Sequence, residues 1–205
     1  MSEGSDNTSV PTRPASPLVG FMPPKPVVII GLMGCGKTSI GKRLAKRFDL
    51  AFSDSDQEVE AAAGCDIGDI DNVFGPGSMQ AGEHRVITRL LNQPVHVIAT
   101  GCLSFTYEET RNLIMERAIS VWLKADLQTL LARVIGRKDR PLLESGNEEA
   151  TVKGMMEEYY PLFEVSNVCV QTYDEPANVT VDRVIIAMSE FIKKQFPDYH
   201  VLKSV

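Results

Sequence analysis

Apolar residues follow two rhythms along this chain, and the two take turns. Aliphatic and β-branched runs at 27–30, 95–101, 118–124 and 168–172 predict strands buried on both faces. A shorter stretch from 49 to 56 predicts a further strand ending in Asp54 and Asp56, and strand alternation places both carboxylates on one side. Between these runs the apolar spacing changes to three and four residues. It predicts helices over 39–48, with Ile40, Leu44 and Phe48 on one face, and over 79–91, with Val86, Leu90 and Leu91 turned inward. Weaker helical patterns cover 57–63, 67–73, 107–116 and 127–135, the last capped by Asp126. Two longer ones cover 148–160, stopped by Pro161, and about 179–196.

Strands alternating with helices predict an α/β fold, a parallel sheet covered on both faces. Right-handed crossovers then place any ligand site at the carboxyl ends of the strands. The loop at 31–38, the Asp54–Asp56 pair and the Thr100–Gly101 tip all fall at that edge. His96, alternating with apolar neighbours, reads as a structural residue.

Composition narrows this further. A length of 205 residues suits one domain with a full core. A net charge of −6, with no basic stripe, excludes a general nucleic-acid surface. No apolar run approaches the roughly 18 residues of a membrane span. Four scattered cysteines without a C-x-x-C pair give neither a zinc site nor a disulfide framework, and a cytoplasmic location is expected. Residues 1–24, rich in Ser, Pro, Thr and Gly, lack the features of a secretory signal or a transit peptide. They are expected to form a disordered tail before a single domain at 25–205. The polar, glycine-bearing segment 136–147 is expected to be a mobile lid over a phosphate site.

The chemistry is concentrated in Gly31-Leu-Met-Gly-Cys-Gly-Lys37-Thr38, which fills G-x-x-x-x-G-K-[ST] between a strand and a helix, the context that motif requires. Its glycines let successive backbone N–H groups turn toward a phosphate, and the helix N-terminus adds partial positive charge. Gly34, Cys35, Gly36, Lys37, Thr38 and Ser39 are therefore expected to bind a nucleoside triphosphate, with Lys37 on the β- and γ-phosphates and the Thr38 hydroxyl on Mg²⁺. Cys35 reads either as a thiol whose pKa the helix N-terminus lowers or as a small buried filler. The absence of an Asn-Lys-x-Asp guanine motif speaks against a GTPase.

Together with Asp54-Ser-Asp56, Ala99-Thr-Gly101, Arg133 and Arg140-Pro-Leu-Leu143, in that order and spacing, this loop resembles the shikimate kinases. The resemblance runs from about residue 25 to 192. It implies a three-layer α/β/α P-loop kinase fold with a five-stranded parallel sheet of order 2-3-1-4-5, and an acceptor-binding segment at about 55–92. The implied activity is ATP-dependent phosphorylation of the 3-hydroxyl of shikimate, a step of aromatic amino-acid biosynthesis. It implies Lys37, Asp56 and Arg140 as catalytic residues, Thr38 and Asp54 at Mg²⁺, and Arg133 against adenine. Asp56, Gln80, Gly101, Cys102 and Tyr159 would face the acceptor. The implied partners are ATP and a small hydroxyl compound, with no nucleic acid or membrane, and the protein is expected to be a monomer.

The acceptor half departs from that family. Gln80 stands where the family's F-R-x-x-E block has an arginine for the shikimate carboxylate, and Tyr159 stands where it has a second one. Cys102 and Leu103 replace two of three glycines, which is expected to narrow the pocket and strain the turn. Three readings stay open: a shikimate kinase with altered contacts, a kinase of another hydroxyl compound, or a non-catalytic nucleotide-binding relative. The presence of Asp54, Asp56 and Arg140 speaks against the last.

Overall fold

A computed structural model describes residues 21–134 and 147–199. Arg140 and nearly all of the expected lid lie outside the described residues, as does most of the expected tail. Of that tail Phe21 is described, and it is buried edge-on against Phe48 with ring centroids 5.3 Å apart. Phe21 thus packs on the core from within the stretch that composition assigned to the tail.

The chain alternates as expected. β1 (Val27–Ile30) leads through the glycine loop to α1 (Lys37–Phe48), then β2 (Phe52–Asp54) runs directly into α2 (Ser55–Ala63). A 3₁₀ turn (Ile67–Asp69), α3 (Ile70–Phe74) and α4 (Ser78–Leu91) precede β3 (Val97–Ala99), α5 (Glu108–Arg117) and β4 (Ile119–Ala125). α6 (Leu127–Val134), α7 (Glu148–Phe163), β5 (Val168–Thr172) and α8 (Ala177–Gln195) complete it. The five strands are parallel, in the order β2-β3-β1-β4-β5. In register, Val27 pairs with both Val97 and Ile119, so the three central strands begin together, and β4 runs on beyond β1 at the carboxyl edge. Every residue of β1 and β3 is buried, which an unbroken apolar run demands of a strand covered on both faces. α1 presents Ile40, Leu44 and Phe48 to the core and packs beside α8, while α4 and α5 pack together elsewhere.

Two helix boundaries depart from expectation. The stretch 49–56 is not one strand, because Asp54 ends β2 and caps α2, its Oδ1 accepting from Asp56 N at 3.2 Å. Asp54 and Asp56 approach one another through that N-cap turn and not through strand alternation. Nor does α7 stop at Pro161; it continues to Phe163. A proline near a helix end gives up one backbone bond, and burial of Phe163 against Trp122 and Phe105, with centroids 5.8 and 6.0 Å away, outweighs that loss. The same aromatic cluster pins residue 105, and with it the turn that follows β3. Asp126 does cap α6, accepting from Thr129 N at 2.7 Å. His96 is buried, with Nδ1 2.8 Å from Pro94 O at the amino end of β3, remote from the ligand edge.

Candidate active site

At the carboxyl edge of the sheet lies an open cleft of about 1230 Å³, more than the few hundred to a thousand of an ordinary small-ligand site. That is room for a nucleotide and a small second substrate together. One end is the glycine loop. Gly36 caps α1 at φ +102°, a conformation that a side chain would strain, and it leaves the first N–H groups of α1 facing the cleft. Lys37 Nζ donates to Gly31 O at 2.8 Å and Leu32 O at 3.2 Å, so the ammonium is steadied at the loop without an acidic ion-pair partner among the described residues. Arg133 donates from the flank to Gly34 O, Cys35 O and Tyr173 O, bracing the loop while it lines the cleft beside Thr172, Asp174 and Glu175. Gly34, Cys35, Gly36, Thr38 and Ser39 line it too. Cys35 itself is buried, and burial pushes its thiol above the ordinary value, further than the neighbouring Lys37 pulls it down. Of its two readings, the structure selects the inert filler.

Asp54 joins the two ends of the cleft. Its Oδ2 accepts from the Thr38 hydroxyl at 2.8 Å, while Oδ1 caps the helix that begins with Ser55 and Asp56. Ser55 Oγ in turn accepts from Gly101 N at 3.0 Å, which fixes the tip of β3. Gly101 has no room for a Cβ, because such an atom would overlap Glu83 Oε1 and lie 2.6 Å from Asp56 Oδ1. Three elements thus converge on one point: the start of α2, the turn after β3 and the middle of α4.

Glu83 is the residue that pattern reading passed over. It is 1% exposed and accepts from the Ser104 hydroxyl, whereas its Oε2, like Asp56 Oδ1, is buried without a partner among the described residues. A signal did exist. Glu83 sits three, four and seven residues before Val86, Ile87 and Leu90, on the buried stripe of α4, where an acid is rarely placed without a task. Burial raises the Glu83 carboxyl from 4.5 to about 7; the Ser104 hydroxyl lowers it and the Asp56 charge raises it again. Burial likewise raises Asp56 to about 6, against the pull of Lys37.

Both acids hold their protons more tightly folded than unfolded. Their contribution to stability is therefore full below about pH 4.5 and is lost as pH rises through 7. We predict that the ligand-free protein loses stability between about pH 4 and 7, by about 3 kcal/mol at most from Glu83. Glu83→Gln should flatten that slope in denaturant titrations at three pH values. An unchanged slope would rule out a proton-holding Glu83.

The remaining acceptor-side residues fall out as follows. Gln80, Gly101 and Cys102 line the cleft, and Asp71 and Tyr107 join them unannounced by the sequence reading. Tyr159 is half-buried near Cys102 but is not among the lining residues, so the expectation that it faces the acceptor gains no support. Cys102 and Leu103 take their turn without a positive φ, since Asp49 is the one non-glycine residue that has it among the described residues. The expected strain is thus absent, although both side chains do crowd the cleft. Its acidic groups on this side are Asp56, Asp71 and Glu83, and the described lining supplies no Lys or Arg beyond Lys37 and Arg133.

A phosphate loop, a hydroxyl–carboxylate pair beside it and an acid within reach of a second substrate define a P-loop phosphotransferase. The profile of the shikimate kinase family matches residues 33–189. Shikimate kinase of Caulobacter vibrioides is 46% identical over 167 residues, covering 81% of this chain and 83% of its own. That of Rhodopseudomonas palustris is 40% identical over 175 residues, covering 85% and 86%. The solved shikimate kinase of Acinetobacter baumannii in complex with shikimate superposes with a TM-score of 0.77 at 27% identity, over 84% of this chain and 95% of that one. This chain belongs to the shikimate kinase family.

Proposed function

We propose that this chain transfers the γ-phosphoryl group of ATP to the 3-hydroxyl of shikimate. One observation carries the reading: a single carboxylate, Asp54, holds the Thr38 hydroxyl at 2.8 Å and caps the turn bearing Asp56, so the phosphate loop and the acceptor acid share one joint. Phosphoryl transfer needs positioning and positive charge more than covalent chemistry. Lys37 and the N–H groups at the start of α1 provide charge at the phosphates. Asp56 orients the attacking hydroxyl and, ionised above about pH 6, accepts its proton. Arg133 lies where it can flank the base, and Arg140 carries over from the resemblance as a cation for the transferring group.

Mg²⁺ takes one or two protein oxygens and keeps the rest of its shell for phosphate and water. Thr38 Oγ1 and Asp54 Oδ2 fit that demand. Among the described residues no cluster of three His, Cys, Asp or Glu offers a fuller cage. Bound there, the ion would neutralise charge on the β- and γ-phosphate oxygens.

A second reading, a kinase of an uncharged polyol, is favoured by the acidic acceptor side just described. ADP release from purified protein with ATP and Mg²⁺, measured with shikimate and with a panel of polyols, separates the two. Turnover with shikimate at a kcat/KM above every polyol supports the first, and the reverse ranking supports the second.

A further inference from the structure

Arg183 makes a set of contacts that the kinase reading does not use. It rises from the second turn of α8 and reaches back over the turn at 173–175 that joins β5 to α8. Its Nη1 donates to Gln171 O at 2.7 Å, its Nη2 pairs with the Glu175 carboxylate, and its guanidinium carbon lies 5.0 Å from the centre of the Tyr173 ring. Stability alone does not account for these contacts. The ion pair is only partly buried, and pairs of that kind contribute little to folding. Glu175 is also provided for without it, because the Thr180 hydroxyl donates to its Oε1 at 2.8 Å and the amino end of α8 follows directly. Tyr173 is 48% exposed, so stacking its ring on Arg183 buries little apolar surface.

What the clasp does fix is the backbone of Tyr173. Its carbonyl accepts from Arg133 Nη2 and from Glu175 N, the latter at 3.0 Å. Arg133 Nη1 reaches the other way, to Gly34 O at 3.3 Å and Cys35 O at 3.5 Å in the phosphate loop. One guanidinium thus spans from the β5–α8 turn to the loop, and a second fastens the turn end of that span. A peptide unit is planar, so holding Cys35 O also holds the N–H of Gly36, where φ is +102°. A loop set in advance loses less conformational freedom when phosphate arrives. Arg183 itself is not among the residues lining the cleft, so any effect on a ligand passes through its neighbours.

Building on the kinase reading, which it needs only for a nucleotide at the loop, we propose that Arg183 is a positioning residue for that nucleotide. Through Tyr173 O it holds Arg133, and through Arg133 it holds the phosphate loop ready for the phosphates.

The probe is ADP with Mg²⁺, titrated by calorimetry so that no acceptor is needed, with initial rates on ATP and shikimate beside it. Arg183→Ala should raise Kd for ADP and KM for ATP about fivefold, while kcat and KM for shikimate stay within about twofold. The thermal midpoint should move by less than about 3 °C. Arg183→Lys keeps a charge opposite Glu175 but lacks the fork that also reaches Gln171 O, so it should recover only part of the loss. The relay is read in Arg133→Met, which keeps an aliphatic stem and removes the guanidinium, with Arg133→Leu as a second background. There Arg183→Ala should change Kd for ADP by less than about 1.5-fold, because residues acting in series do not add.

A Kd within twofold of the natural chain in Arg183→Ala overturns the proposal. So does a fivefold loss that persists without the Arg133 guanidinium, which would make Arg183 an independent contact. A midpoint lowered by more than about 6 °C together with a raised KM for shikimate overturns it as well, since the fold would then have loosened as a whole. If ADP binding follows the expected pattern but shikimate is not phosphorylated, the proposal stands and the kinase reading falls. Failure of the natural chain to bind ADP overturns both.

Discussion

Replacing Lys37 with alanine leaves a folded protein whose turnover is lowered by roughly a thousandfold, the scale set by removing one preorganised donor from a transition-state site. Lys37 opens α1, and its ammonium is held by two loop carbonyls at 2.8 and 3.2 Å, which orient it without neutralising it. An incoming triphosphate supplies the negative charge those carbonyls lack. The fold does not depend on this side chain, because α1 is anchored by Ile40, Leu44 and Phe48 and alanine favours a helix. The thermal midpoint should therefore hold while calorimetry shows ATP affinity falling sharply. Lys37→Arg should not rescue turnover, since a planar guanidinium cannot stand in for a compact ammonium in so tight a loop. Normal ATP affinity and turnover in Lys37→Ala would mean that the phosphates bind elsewhere.

A second large effect is expected in the opposite direction, as a gain. Gln80→Arg should lower KM for shikimate by about tenfold to a hundredfold, because a charge-assisted hydrogen bond to a carboxylate contributes roughly 1.5–3 kcal/mol. Gln80 is exposed and lines the cleft on α4, so a longer cationic side chain there projects into the space between Asp71 and the Gly101 turn. It also offsets the local excess of acid. Tyr159→Arg alone should do less, as residue 159 lies off the lining, and the double substitution should exceed either single one. kcat should change little, for the added contact is made equally before and during transfer. The comparison is made by initial-rate kinetics at fixed ATP. A natural chain with KM already as low as the double variant would show that the carboxylate is held by other groups.

Much of this was legible in advance, for identifiable reasons. The order of the strands came only with the family resemblance, whereas the parallel sheet and the loop at 31–38 follow from signals that are local and redundant: a glycine motif, a β-branched run before it, an amphipathic helix after it. The same holds for the cap at Asp126. What failed to read was non-local. Pro161 looked like a stop because its cost is local, whereas the burial of Phe163 between Trp122 and Phe105 involves segments some 40 and 60 residues away in the chain. Cys35 stayed open between an activated thiol and a buried filler, because its place beside a helix N-terminus is visible in the sequence and its complete burial is not. Glu83 was hidden by its neighbours in sequence, Gly82 and His84, and is explained only by what α2 and the β3 turn bring to it. Strand alternation reached a correct proximity for Asp54 and Asp56 by an incorrect route.

The joint between β2 and α2 has a consequence for how the chain can change over time. Asp54 is the last residue of the strand and Ser55 the first of the helix, with no connector between them. One inserted or deleted residue would turn Asp56 by about 100° around the helix axis, away from Gly101 and out of step with the Thr38 contact. That segment is closed to length variation, and Asp54 and Asp56 are open only to replacements that preserve both bonds of one carboxylate. Gln80 and Cys102, by contrast, sit beyond turns that absorb substitution, one after the Gly75–Gly77 break and one on a turn fastened through Ser55 and Ser104. Drift in what the cleft accepts is thus channelled into the outer wall, while the geometry that delivers phosphate stays fixed.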